Sequence, residues 1–387
     1  MGLLNMENKD LYTGEGVKFA PNTEISAVAY NDKESLKEYF EKQDGVYTPE
    51  LLDIYAENTL SVVSKVKALQ ENEDIETSTF ILYTDSHYTN DTVNFEFDRM
   101  QNAIEYINGA TKADFVCNMG DTTNGEPGTD TTSVFKMLFG RISEKSYKYV
   151  NLVGNHDLYK PILQRKCLTN IKAACYAPKS SSFYLDDERN DTRYLFLSLH
   201  EKGAFLDSNT RLDISNYVGI SYSQFKWLAD VALKTNHKIV LISHETITRP
   251  TSGNQNWMSN PYSNYMKIKD LFNAFIDGTS GSITLTLQND SVDAETSIAY
   301  DFTGQGKGKV FASFHGHIHG DADYDNGKWH EWWTESALYT QDVWAGTNAI
   351  KTRGTSTEVA FDTVVIDHTN KKVYMFRFGA GSDRVSE

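Results

Sequence analysis

The sequence predicts an α/β fold with a parallel sheet covered by helices, and two observations carry that expectation. Apolar runs of strand length alternate with helical patterns between residues 79 and 155, as βαβ units do. Five apolar runs also stop at clusters of Asp, Asn or His, and the carboxyl ends of strands are where α/β sheets collect ligands.

Taken in order, the polar sequence up to about residue 32 reads as a weakly ordered leader or an early strand, and residues 31–42 have helical composition. Thr48-Pro49-Glu50 starts a helix, with Thr48 as N-cap and Pro49 in the first turn. Its apolar stripe is Leu52, Tyr55, Val62, Val66 and Leu69. No Gly/Ser/Pro linker precedes residue 77, so residues 1–76 are expected to form a helical cover on a core made by residues 77–387.

The run 79–83 is a strand ending at Asp85-Ser86-His87, followed by a helix with Val93, Phe97, Met100, Ile104 and Ile107 at spacings of four and three. Strand 115–119 ends at Gly120-Asp121, a helix is expected over 131–145, and strand 149–153 ends at Gly154-Asn155-His156-Asp157. Residues 158–182 are irregular. Segments 183–185 and 193–199 start a second set of strands, the latter closed by His200; a helix from Ser223 then leads into strand 239–243, which ends at His244. Residues 252–261 are turn-rich, 262–276 helical, and 278–308 alternate polar and apolar like an inserted hairpin.

The following stretch, Phe314-His315-Gly316-His317-Ile318-His319-Gly320, closes strand 310–313. In an extended chain the three imidazoles share a face, whereas a turn at Gly316 splays them. For the run alone, the plain alternative is a solvated loop; His315 and His200 fit a structural role as well as a supporting one. Tyr324, Trp329, Trp332, Trp333, Tyr339 and Trp344 crowd into residues 320–354, as core packing or as a stacking wall. Arg249, Lys160 and Arg353 lie on loops. Segments 359–367 and 372–378 are closing strands.

These clusters, in this order, resemble the five signature blocks of the calcineurin-like metallophosphoesterases over about residues 80–320. The resemblance implies a four-layer α/β/β/α sandwich of the metallophosphoesterase type, with insertions near 158–182, 278–308 and 320–354. It implies two divalent metal ions, one held by Asp85, His87, Asp121 and His319, the other by Asp121, Asn155, His244 and His317, with Asp121 as bridge. Mn²⁺, Fe²⁺, Zn²⁺, Ni²⁺ and Co²⁺ all suit such mixed nitrogen and oxygen ligands. His156 then faces the substrate and Asp157 orients its imidazole. Asn124 stands where members that bind ferric iron carry a tyrosine, so no purple iron colour is expected.

The implied activity is phosphodiester or phosphomonoester hydrolysis by in-line attack of a metal-bound hydroxide. The other reading is a non-catalytic binding or structural module on the same fold, phage- or cell-surface-associated, since Phe376 to Gly381 resembles bacterial and bacteriophage members.

Charge narrows the partners. A formal net charge of -16 and a pI near 5.1 oppose binding of long duplex nucleic acid, which needs a basic footprint, and leave a phosphate ester as the expected partner. Three scattered cysteines, Cys117, Cys167 and Cys175, do not make a disulfide framework. Without a signal-peptide pattern in residues 1–20 or any run of membrane-span length, a cytoplasmic location is the default, with a virion or another export route open. The sequence gives no reading of oligomeric state.

Overall fold

The computed structural model describes residues 11–13, 17–19, 49–88, 95–123, 148–158, 182–199, 220–248, 264–288, 293–338, 347 and 349–386. The expected helices at 31–42 and 131–145, the irregular segment at 159–181, His200, the loop at 252–261, Asn124, Lys160, Arg249, Tyr339 and Trp344 lie outside them.

Strands β1 (Leu11–Thr13) and β2 (Val17–Phe19) pair antiparallel. Helix α1 (Pro49–Gln70) begins at the expected proline. After β3 (Thr77–Tyr83), α2 (Phe95–Thr111), β4 (Phe115–Asn118) and β5 (Tyr149–Asn151) complete the first βαβ half. The second half begins with β6 (Phe183–Asp187), β7 (Thr192–Leu197), α3 (Tyr222–Trp227) and β8 (Lys238–Ser243). Ser221 caps α3 by accepting the Gln224 N–H at 3.1 Å, and the helix runs on through a π turn at Leu228–Ala232. Next come α4 (Tyr265–Asp277), β9 (Ser280–Gln288), β10 (Asp293–Asp301) and β11 (Val310–His315). The chain closes with β12 (Ala322–Asp325), β13 (His330–Trp333), β14 (Ala360–Asp367), β15 (Lys372–Gly379) and β16 (Arg384–Val385).

Two six-stranded sheets result. One runs β16-β15-β14-β3-β4-β5, the other β12-β13-β11-β8-β7-β6. Period-two alternation decides what each face meets. On β3, Phe80 and Leu82 join Phe115 and Cys117 in a core shared with Phe196, Val240, Ile242 and Phe314 of the second sheet. Ile81 and Tyr83, on the opposite face, pack against Val62 and Val66 of α1 and Met100 and Ile104 of α2. On β8 the alternation repeats: Ile239 and Leu241 turn outward onto Phe225 and Leu228 of α3 and Leu271 and Phe275 of α4. The architecture is thus the α/β/β/α sandwich that the resemblance implies.

The hairpin expected over 278–308 is β9 paired with β10, Ile283 opposite Ile298. Within the span 320–354, β12 and β13 extend the second sheet. Trp329, Trp332 and Trp333 are buried in it, so these indoles are core and not a stacking wall. Among the described residues, no helix is long and apolar enough to cross a membrane.

Candidate metal centre

β3, β4 and β5 of one sheet and β8 and β11 of the other deliver their carboxyl ends to one place. Asp85, His87, Asp121 and His319 form one group of side chains, and Asp121, His244 and His317 another, each with its candidate donor atoms within 4.8 Å of one another. Asp121 belongs to both. Its Oδ2 lies 3.2 Å from His244 Nε2 and 3.8 Å from His87 Nε2, while its Oδ1 accepts the His156 N–H at 2.8 Å. Asn155 Oδ1 lies 3.1 Å from His317 Nδ1. All seven expected metal-site side chains therefore converge.

The backbone that places them is unusual. Asp85, His87, Asp121, His317 and His319 all have positive φ, between 44° and 72°. Non-glycine residues avoid this left-handed region, so their occurrence together at five strand-end positions marks backbone bent to aim side chains. The turn at His317 and His319 also breaks the extended geometry that would align all three imidazoles of the motif: His317 joins one group, His319 the other, and His315 neither. Strand-end hydrogen bonds fix the bends, from Asp85 N to Gly120 O, His87 N to Asp121 O and Gly316 N to His244 O, at 2.9 to 3.0 Å.

Sequence reasoning left two supports without a role. Thr84 donates to Asp85 Oδ2 at 2.7 Å and the His317 N–H donates to the same oxygen at 2.8 Å, which directs Oδ1 into the site. Gly154 and Gly316 keep it open, since a Cβ at Gly154 would overlap the Asp121 carboxylate and one at Gly316 would overlap Thr84. The signal was visible, as each neighbours a block residue, but only the folded path gives it meaning.

Asp157 supports the backbone of the site. Its buried oxygens accept backbone N–H groups from Thr123 at 3.1 Å and Gly154 at 3.0 Å, bracing the loops after β4 and β5. The His156 ring lies 4.7 Å from that of His87, edge to face, toward the more open side.

The electrostatics follow from burial and pairing. Burial opposes the charged form of Asp85 and Asp121, but the imidazoles of His244, His319 and His87 around the first, and of His244, His156 and His87 around the second, hold both below the usual carboxylate range. Burial and the Asp121 charge push Asp157 up to about 7. Burial likewise disfavours charged His244, yet Asp121, Glu245 and Asp85 hold it above its ordinary value, whereas burial takes His317 down to about 4.

The donor set fits a cation. Asp85 Oδ1 is buried and accepts no hydrogen bond, with His319, His87 and His244 Nε2 atoms at 3.4, 3.8 and 3.9 Å. His87 Nε2 and His319 Nε2 face each other at 3.0 Å, an arrangement that needs a proton or a cation between their lone pairs. Mixed carboxylate and imidazole donors of this kind suit first-row divalent ions. In a third group, Asp186 and Glu188 are exposed and His237 is half-buried.

Paired sheets with acidic and imidazole side chains gathered at their strand ends define a class of metal-dependent hydrolase. Residues 78–321, well over half of the chain, match the model of the calcineurin-like phosphoesterase family, and the chain belongs to that family. It is a metallophosphoesterase, a hydrolase of phosphoric esters, and its family implies divalent metal ions. No curated protein matches the sequence. Among solved structures, a conserved protein of Streptococcus pneumoniae TIGR4 described as a predicted phosphoesterase is similar at 11% identity and TM-score 0.29, covering 81% of this chain and 98% of its own. GAP50, described as the anchor in the inner membrane complex of Plasmodium, is similar at 11% identity and TM-score 0.41, covering 77% and 83%. A candidate 5′-nucleotidase from Staphylococcus aureus in complex with α-ketoglutarate is similar at 10% identity and TM-score 0.37, covering 80% of this chain and 54% of its own.

Proposed function

We propose that the chain hydrolyses phosphate monoesters or diesters by in-line displacement at phosphorus, with two divalent ions sharing Asp121. The observation that carries this reading is the pair of Asp and His groups with one carboxylate in common. Asp85, His87, Asp121 and His319 would hold one ion, and Asp121, Asn155, His244 and His317 the other, from among Mn²⁺, Fe²⁺, Zn²⁺, Ni²⁺ and Co²⁺. When bound, such a pair supplies hydroxide at neutral pH and neutralises the phosphoryl oxygens.

The protein's own groups do the rest. Asp85 and Asp121, buried and held in their charged forms, present oxygens without a protonation cost. His156, at the open side, hydrogen-bonds a phosphoryl oxygen or protonates the leaving oxygen. Asp157 fixes the loop on which Asn155 and His156 sit. Helix α1 serves as a cover, for which the packing of Tyr55, Val62 and Val66 onto the first sheet is the support. The acidic balance favours small phosphate esters over long duplex nucleic acid.

The test is hydrolysis of p-nitrophenyl phosphate and bis-p-nitrophenyl phosphate by the purified chain with Mn²⁺, and by His317→Ala. Rates above background that a chelator abolishes and the substitution removes are expected; unchanged hydrolysis by His317→Ala would refute the reading.

A further inference from the structure

His315 belongs to the His-rich motif but to neither candidate metal group, and it is fully buried. It is the last residue of β11, beside β8 on one flank and opposite Trp333 of β13 on the other. Its Nδ1 lies 3.1 Å from Ser243 Oγ and its Nε2 2.9 Å from Ser313 Oγ.

Counting protons fixes the direction of the bond to Ser243. The Ser243 hydroxyl has one proton and gives it to the Glu245 carbonyl at 2.7 Å, so toward His315 it accepts, and Nδ1 carries the hydrogen. Ser313 Oγ accepts the Trp329 indole N–H at 3.1 Å and keeps its own proton, which it can donate to His315 Nε2. A single directed chain therefore runs from Trp329 through Ser313, His315 and Ser243 to the carbonyl of Glu245. In this chain the ring gives a hydrogen from Nδ1 and accepts one at Nε2.

The chain ends on the backbone that carries His244. Ser243 precedes His244 and Glu245 follows it, while the Gly316 N–H, between His315 and His317, donates to the His244 carbonyl at 2.9 Å. Beyond, Glu331 accepts the Thr246 hydroxyl at 2.7 Å, the Thr248 hydroxyl and the Asn326 amide at 2.6 Å, pinning the segment that follows.

We propose that His315 is a positioning residue: its Nδ1–H to Ser243 locks the ends of β8 and β11 together and so sets His244 and His317 at the separation that their ion requires. The inference rests on the binuclear reading above, and it assigns His315 to one half of the site only.

The test is Mn²⁺ titration of the full chain, counted by EPR and by metal analysis after dialysis, with folding checked by circular dichroism. His315→Phe keeps the ring and removes both links. His315→Gln reaches Ser313 but not Ser243, and His315→Asn places an amide N–H near Nδ1. Phe and Gln are expected to weaken one of two Mn²⁺ sites roughly 10- to 100-fold, and to remove the spin-coupled signal of the pair, while Asn restores both. Ser243→Ala, which leaves the ring in place, is expected to match Phe. Folded His315→Phe or Ser243→Ala with two wild-type Mn²⁺ affinities overturns the assignment, as does equal weakening of both sites. Fewer than two ions in the wild-type chain removes the binuclear reading and this inference with it.

Discussion

Asp121 Oδ2 stands 3.2 Å from His244 Nε2, joining the carboxyl end of β4 in one sheet to that of β8 in the other. Both candidate groups depend on this carboxylate, so its loss is more damaging than that of any residue serving one group. Asp121→Ala is expected to lower hydrolysis roughly 10³-fold, on several kcal/mol of lost charge stabilisation, and to release both ions. His319→Ala is expected to retain one. Metal analysis of the two variants side by side checks the order.

A methyl group at Gly154 would occupy the space of the Asp121 carboxylate. Gly154→Ala is therefore expected to weaken Mn²⁺ binding roughly 10- to 100-fold without unfolding the chain. Gly304→Ala, where a Cβ would meet nothing within 4 Å, is the control and is expected to bind as wild type. Equilibrium titration distinguishes them.

Acid should act on stability through His368. Burial, with help from Lys238, takes its imidazole down to about 4 in the folded chain, against about 6.5 unfolded. Between these values the unfolded chain binds more protons, so stability is full above about pH 6.5 and falls as pH drops toward 4. The ring is partly exposed, so the span is on the order of 1–2 kcal/mol after allowing for solvent screening. His368→Gln, which can still reach the Ser78 hydroxyl that Nε2 contacts at 2.8 Å, is expected to flatten this slope in urea unfolding curves.

Arg377 is buried and binds Asp362 through two nitrogens at 2.9 and 3.0 Å, and Asp321 at 2.6 Å. Arg384 joins the same two carboxylates. Arg377→Met leaves buried charge uncompensated and is expected to cost about 3–5 kcal/mol, read from urea or thermal unfolding. Pairing it with Asp362→Leu is expected to recover part of that loss.

The alternation in β3 and β8 was legible because one residue in two must be apolar on each face: Phe80 and Leu82 toward one core, Ile81 and Tyr83 toward the other. The residues of the site were legible because each stands where an apolar run ends. The left-handed backbone at Asp85, His87, Asp121, His317 and His319 was not, since only tertiary hydrogen bonds override the preference of an L residue against it. Of the two geometries open for the imidazoles of His315, His317 and His319, the splaying turn prevails over the extended chain for that reason. The bonds of Asp157 to the Thr123 and Gly154 backbone were not legible, since they depend on how the loops after β4 and β5 meet. The strands β12 and β13 were hidden beneath the aromatic composition of their span, and nothing in the sequence singled out Asp362 and Arg377, which β14 and β15 bring opposite each other.

The order of strands in the first sheet has a consequence for how the protein is made. β3, which leads into Asp85, lies between β4 and β14, so one of its two neighbours comes from residues 360–367. On the ribosome β3 emerges well before residues 360–367 and waits with one edge bare until they have been synthesised, a long-range closure of the kind that slows folding. A chaperone that shields the β3 edge in the meantime would raise the yield of folded molecules.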